Sequence, residues 1–223
     1  MLRYLAIFGF VALAGAESQA PAPAADPSGV ASLDSSDLDG FENNPPAVRA
    51  LLEACLALTR LNLGYKFGSS DPKLGGMDCS GTIYHVLQAG GITAAPRTSS
   101  EQYVWARKAG TFESVVSRKR DSFELDAMRP GDLLFWTGTY STDRDPPVTH
   151  TMIYLGKRRT DGKQIMFGAS DGRTYDGRKI WGVSVFDFTI SKAKPAAVPG
   201  EPAKPGSVFI GYAGIPGLDQ GAP

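Results

Sequence analysis

Apolar side chains recur at helical spacing early in the chain and at alternating spacing later. Val48, Leu51, Leu52, Cys55, Leu58 and Thr59 fall three or four residues apart, which predicts an amphipathic helix over Pro46–Asn62. Ile83, Val86 and Leu87 share a face of a second helix that follows Asp78, Cys79, Ser80 and Gly81 and ends at Gly90 and Gly91. Thr98 and Glu101 stand at capping-box spacing and open a third helix that runs to Lys108. The period then changes. The turn Arg129-Pro130-Gly131-Asp132 feeds a strand over Leu133–Trp136. Thr149–Leu155, Gln164–Phe167, Val183–Ile190 and Val208–Tyr212 follow as strands separated by turn residues. Helices first and strands after, without βαβ alternation, predict an α+β fold with a mostly antiparallel sheet.

The ends of the chain have a different character. Arg3 followed by an apolar run from Tyr4 to Ala14 and the small-x-small triplet Ala14-Gly15-Ala16 predicts a signal peptide over residues 1–16, with cleavage after Ala20 as the second option. The run is shorter than the roughly 20 residues of a membrane span, and no Cys follows it, so an exported protein without a stable membrane span after processing is expected. Residues 17–46, rich in Ala, Pro, Ser and Asp and without Lys or Arg, read as a flexible acidic leader. The domain is expected over 47–216, with a proline-rich surface loop at 192–206 and a short tail at 217–223.

Composition narrows the possible chemistry. A chain of 223 residues suits one domain plus tails. Its 23 basic and 23 acidic residues cancel, which removes the electrostatic reason to expect a nucleic-acid partner. Two histidines and two cysteines, none in C-x-x-C or H-x-x-x-H relation, do not make a zinc site, and no metal or other cofactor is expected.

Those four residues sort by position. Cys79 stands where the glycine-containing segment Gly75-Gly76-Met77-Asp78 becomes a helix. Unpaired N–H groups and the positive helix end there favour a thiolate, lower the thiol pKa and can hold an oxyanion. Ser80 and Gly81 are small enough to let a substrate carbonyl approach the sulfur. Cys55, mid-helix on an apolar face, reads as core. A thiolate nucleophile needs a base. His85, six residues after Cys79 on the same helix, reads as helix surface or edge. His150 begins the Thr149–Leu155 strand, where His150, Met152 and Tyr154 share one face, and from the strand end it can reach a helix start packed on the sheet. Gly168-Ala-Ser-Asp-Gly172 matches the G-x-S-x-G pattern. However, the polar, glycine-containing Arg173–Arg178 after it is not helical and no His follows Ser170, so a serine-hydrolase elbow is excluded.

Taken in order, Gly64-Tyr65-Lys66-Phe67-Gly68, Asp78-Cys79-Ser80-Gly81, Pro96-Arg97-Thr98-Ser99, Arg129–Trp136 and His150–Gly156 resemble the NlpC-type cysteine peptidases, papain-like enzymes that cut peptidoglycan stem peptides. The resemblance implies a papain-like α+β fold, N-terminal helices first, with the Cys79 helix packed on a small antiparallel sheet. It implies hydrolysis of a stem-peptide amide between γ-linked D-glutamate and a diamino acid, so the partner is peptidoglycan or its peptide fragments, in the periplasm, the cell envelope or outside the cell. By the same likeness Cys79 attacks, His150 moves the proton, and Tyr65, Asp78 and Ser80 contact substrate. Arg97 and Asp132 take structural positions. An N-cap role is the local reading of Asp78 and is compatible with substrate contact.

Two departures stand out. Family members carry a polar third residue, often His, on the strand after the base, and here Gly168 occupies that place. A backbone carbonyl, a water, Ser170 or Asp171 must then orient the imidazole. The long Thr137–Pro147 loop is expected to shape the cleft. Two alternatives stay open: a catalytically weak wall-binding or regulatory module of the same fold, and a thiol amidase or acyltransferase on another substrate.

Overall fold

The computed structural model describes residues 29–190 and 206–221. The expected signal peptide, the first part of the leader and nearly all of the proline-rich loop lie outside the described residues.

Helix α1 (Pro46–Thr59) carries a proline in its first turn, where a missing N–H costs nothing, and buries Val48, Leu52, Cys55 and Leu56. Two short strands, β1 (Gly64–Tyr65) and β2 (Gly76–Met77), pair in parallel and bring Tyr65 level with Met77. Helix α2 (Cys79–Ala89) follows at once, and α3 (Ser99–Lys108) opens with the reciprocal Thr98–Glu101 capping box. Then come β3 (Phe112–Ser114), β4 (Leu133–Thr137), β5 (Val148–Lys157), β6 (Gln164–Tyr175), β7 (Arg178–Asp187) and β8 (Val208–Ala213).

These last six strands form one sheet in the order β3-β8-β4-β5-β6-β7, antiparallel at every step. Helices α2 and α3 lie on β5, α2 also on β6, and α1 on β6 and β7. Phe135, Trp136, Phe167, Phe186 and Phe209 are fully buried in the core. The α+β class and the packing of the Cys79 helix on an antiparallel sheet are therefore as the sequence predicts.

Two elements differ. The segment after Phe167 is strand, not irregular turn: β6 and β7 make one long hairpin closed by Asp176 and Gly177, both at positive φ. Asp-Gly at a two-residue hairpin turn adopts positive φ at both positions, a signal that the polar character of Arg173–Arg178 masked. The second half of the expected leader is also folded. Ala31 donates its N–H to Ser184 Oγ at 2.7 Å and accepts from Val185 N–H at 3.0 Å. Leu38 bridges Arg158, and Leu38 and Phe41 are buried. From about Ala31 onward the segment is thus part of the domain, because two apolar anchors and sheet-type hydrogen bonds offset its ordering entropy. At the other end, Gln220 of the expected tail donates to Asp132 Oδ1 at 2.9 Å.

Candidate active site

Asp78 caps α2. Its Oδ1 accepts from Gly81 N–H at 2.6 Å, from Ser80 Oγ–H at 3.3 Å and from Arg97 Nη1 at 3.1 Å. Its Oδ2 accepts from Gly68 N–H at 2.8 Å and Arg97 Nη2 at 2.9 Å. Five donors saturate the carboxylate, and the two-pronged Arg97 pair fixes its plane. Arg97, read from sequence as structural, thus sets the loop that presents the nucleophile. Gly81 serves the same packing. A Cβ there would sit 2.1 Å from the Ser69 carbonyl oxygen and 2.8 Å from Arg97 Nη2. The smallness of Gly81 is used by the protein's own backbone, which the Ser69 carbonyl approaches closely.

Cys79 is the first residue of α2 and buried. Its Sγ lies 4.0 Å from the Thr149 carbonyl oxygen, and the N–H groups of Thr151 and Ser80 reach it. The thiol therefore rests against the β5 backbone on both sides of His150. Its pKa is pushed up to about 11, by burial first and then by the Asp78 charge. The two N–H groups and Arg173 oppose the rise without cancelling it. The helix start was expected to lower this pKa; desolvation and the capping carboxylate outweigh it. Cys55 is fully buried in the core, and burial raises its thiol pKa further still.

His150 lies level with Trp136 on β4, their rings 5.7 Å apart, and is buried. Its pKa is lowered well below 6.5 by burial and then by Arg173. Arg173 is the site residue that sequence reading missed. It donates Nε–H to His150 Nε2 at 3.2 Å and Nη1–H to Thr189 Oγ1 at 3.1 Å, and its guanidinium lies 4.4 Å over the Trp136 ring. Among the described residues it is the only hydrogen-bond partner of the imidazole; neither Ser170 nor Asp171 bonds it.

A bulge explains why Arg173 arrives there. Asp171 pairs with Trp181 and Arg173 with Ile180, so Gly172, at φ +140°, is an extra residue. Strict alternation would put Arg173 on the face opposite Gly168 and Ser170, but the bulge returns it to their face. Gly168 itself has no room for a third catalytic side chain, since a Cβ there would lie 2.9 Å from Met152 Cγ. Met152 has taken the space on the His150 face.

Tyr65 is half-buried, and its phenol is pushed upward by burial, then by Cys79, so it stays a hydrogen-bond donor. The loop after β4 is pinned by Thr139, which donates to Thr149 Oγ1 at 3.0 Å, and by Ser100, which donates to the Pro146 carbonyl at 2.8 Å. It sets Tyr140 edge-on to Phe67, centroids 6.2 Å apart. Tyr65, Phe67 and Tyr140 stand between two cavities. One, of about 290 Å³, holds Cys79, Asp78, Ser80, Arg97 and Arg144. The other, of about 640 Å³, holds His150, Ser170, Asp171, Arg173 and Lys179. Cys79 and His150 thus open on opposite halves of one cleft.

A helix-start thiol is laid here against the strand that carries a buried histidine. The chain belongs to the NlpC/P60 family, whose model matches residues 62–180. Among curated proteins none matches. A crystal structure of a protein similar to a lipoprotein of the NLP/P60 family, from Staphylococcus aureus subsp. aureus Mu50, aligns with 20% identity and a TM-score of 0.45. The alignment covers 84% of this chain, and the chain spans 44% of that one. The family implies chemistry of the cell-wall peptidase type. Among the described residues no helix is long and apolar enough to cross a membrane.

Proposed function

We propose that this protein is an exported cysteine endopeptidase that hydrolyses an amide of peptidoglycan stem peptides, the γ-D-glutamyl–diamino acid bond. The observation that carries this reading is the seat of the Cys79 sulfur, 4.0 Å from the Thr149 carbonyl and beside the Thr151 N–H, astride His150. The Cys79 proton passes to His150 and the sulfur attacks the carbonyl carbon. The backbone N–H of Cys79 and the Tyr65 hydroxyl hold the oxyanion. The C–N bond then breaks as His150 returns the proton to the leaving amine. Water hydrolyses the thioester, giving a carboxylic acid and regenerating the thiol. Asp78 and Ser80 line the acyl half of the cleft, the place for the substrate's N-terminal end.

One observation favours a second reading, the catalytically weak wall-binding module. A neutral imidazole has one acceptor lone pair, and Arg173 occupies it. Mass spectrometry of peptidoglycan fragments treated with the mature protein and with Cys79→Ala separates the two. New stem-peptide termini made only by the Cys79 protein support the endopeptidase. Binding by both without cleavage supports the module.

A further inference from the structure

Arg173 is a half-buried cation that lacks an anion. Among the described residues no carboxylate forms an ion pair with it, and its Nη2, open to solvent, bonds no protein group. The guanidinium is partly withdrawn from water, and burial lowers its pKa to about 10, opposed by the Cys79 and Asp171 charges, neither of which pairs with it directly. It is held instead by a ring face, a hydroxyl and the single lone pair of His150. Room for the missing anion exists in the 640 Å³ cavity that Arg173 shares with Lys179, whose one lining carboxylate is the exposed Asp171.

The bond to His150 has a definite consequence. The guanidinium stays protonated and can only donate, so His150 Nε2 must be the acceptor and the neutral ring carries its proton on Nδ1. Neither nitrogen can then take the Cys79 proton. A protonated ring would set two N–H groups against each other. For His150 to act as a base, the Arg173 Nε–H must first leave.

From this, and resting on the peptidase reading above, we infer that Arg173 is a positioning residue that latches His150 until a carboxylate on the leaving side of the substrate draws the guanidinium away. The site thereby selects peptides whose leaving diamino acid carries a free carboxylate. Direction follows from the cleft. When Cys79 attacks from its own cavity, the leaving amine faces His150 and the leaving residue fills the cavity beside Arg173. A carboxylate there can take two parallel N–H bonds from the guanidinium, a stronger pairing than one imidazole lone pair. The charged and titratable groups around His150 are Cys79 on α2, Asp171 and Arg173 on β6, Lys179 on β7, Tyr65 on β1 and Tyr140 in the loop after β4. Arg173 is the one of them bonded to the ring.

Two γ-D-glutamyl–diamino acid peptides test this, one ending in a free carboxylate and one in a carboxamide, with the wild-type protein and Arg173→Gln. Wild type is expected to show a kcat at least tenfold higher for the carboxylate, with a smaller change in KM, and Arg173→Gln to cleave both at similar rates. Equal rates in wild type, or a preference that survives in Arg173→Gln, overturn the latch while leaving the peptidase intact. Nitrogen NMR of the His150 ring in Cys79→Ala supplies a readout that needs no cleavage. A proton on Nδ1 and a hydrogen-bonded Nε2 in the free protein, with the Nε2 resonance moving to that of an unbonded acceptor on adding the carboxylate peptide and not the carboxamide, supports the latch. No movement of the Nε2 resonance overturns it. If wild type cleaves neither peptide, the peptidase reading fails, and the ring resonances still decide the latch.

Discussion

Arg173 donates its Nε–H to His150 Nε2 at 3.2 Å, so a cation takes the one acceptor lone pair of the buried neutral imidazole. Both burial and this charge oppose protonation of the ring, which places the folded pKa well below 6.5. Below pH 6.5 the unfolded chain takes up a proton that the folded chain refuses. The stability associated with this group is therefore complete above pH 6.5 and falls as the pH drops, by up to about 1.4 kcal/mol per pH unit. Urea unfolding between pH 7.5 and 5 should show wild type losing stability faster than His150→Gln. Parallel curves would refute the depressed pKa.

Cys79 and Cys55 should separate cleanly by alkylation. Burial and the Asp78 charge raise the Cys79 pKa to about 11, so its thiolate fraction, and the iodoacetamide rate, should rise almost tenfold per pH unit from 7 to 9. Cys55, inaccessible in the core, should label only on denaturation. A Cys79 rate already at plateau near pH 7 would mean that a thiolate–imidazolium pair forms in the resting protein.

Asp78→Asn keeps a cap acceptor and removes the charge. Cys79 should then label faster at pH 8, because its second-largest upward influence is gone. Stability should fall by about 1–2 kcal/mol as the Arg97 pair is lost from a site where Arg97 remains partly exposed. Unchanged labelling would assign the raised pKa to burial alone.

Two glycines of the site should respond differently to alanine. At Gly81 the new methyl meets the Ser69 backbone oxygen at 2.1 Å, a contact that no rotamer relieves, so a loss of about 3 kcal/mol or more is expected. At Gly168 it meets Met152 Cγ at 2.9 Å, the stem of a flexible side chain, and a cost near 1 kcal/mol is expected. Denaturant melts of the two variants check the order; a reversed order would refute the close Ser69 approach.

Leu38→Ala should destabilise the domain by about 2–4 kcal/mol, since Leu38 is 1% exposed and anchors the segment before α1. A thermal melt unchanged from wild type would return that segment to the status of a loose leader.

Much of the architecture is readable along the chain because it depends on neighbours in sequence. The α1 apolar stripe, the Thr98–Glu101 box and the Asp78 cap each sit within four residues of what they organise. Cys79 at a helix start and His150 on a strand face belong to this class, and so do the five ordered motifs that point to the NlpC/P60 family. The folded part of the leader was hidden because Leu38 and Phe41 are isolated apolar residues in a polar stretch. The backbone partners that hold this segment, Arg158 for Leu38 and Ser184 for Ala31, lie more than a hundred residues away.

What touches His150 is a different matter. Gly172 adds one residue to β6, and that single register shift turns Arg173 from the face of Ala169 to the face of His150. Met152 closes the space above Gly168 on the same face. The sequence by itself determines which side chains can be nucleophile and base, since helix starts and strand parity are local. Only the tertiary structure decides which group holds the base, because sheet register and a bulge join positions whose side chains strict alternation would keep apart.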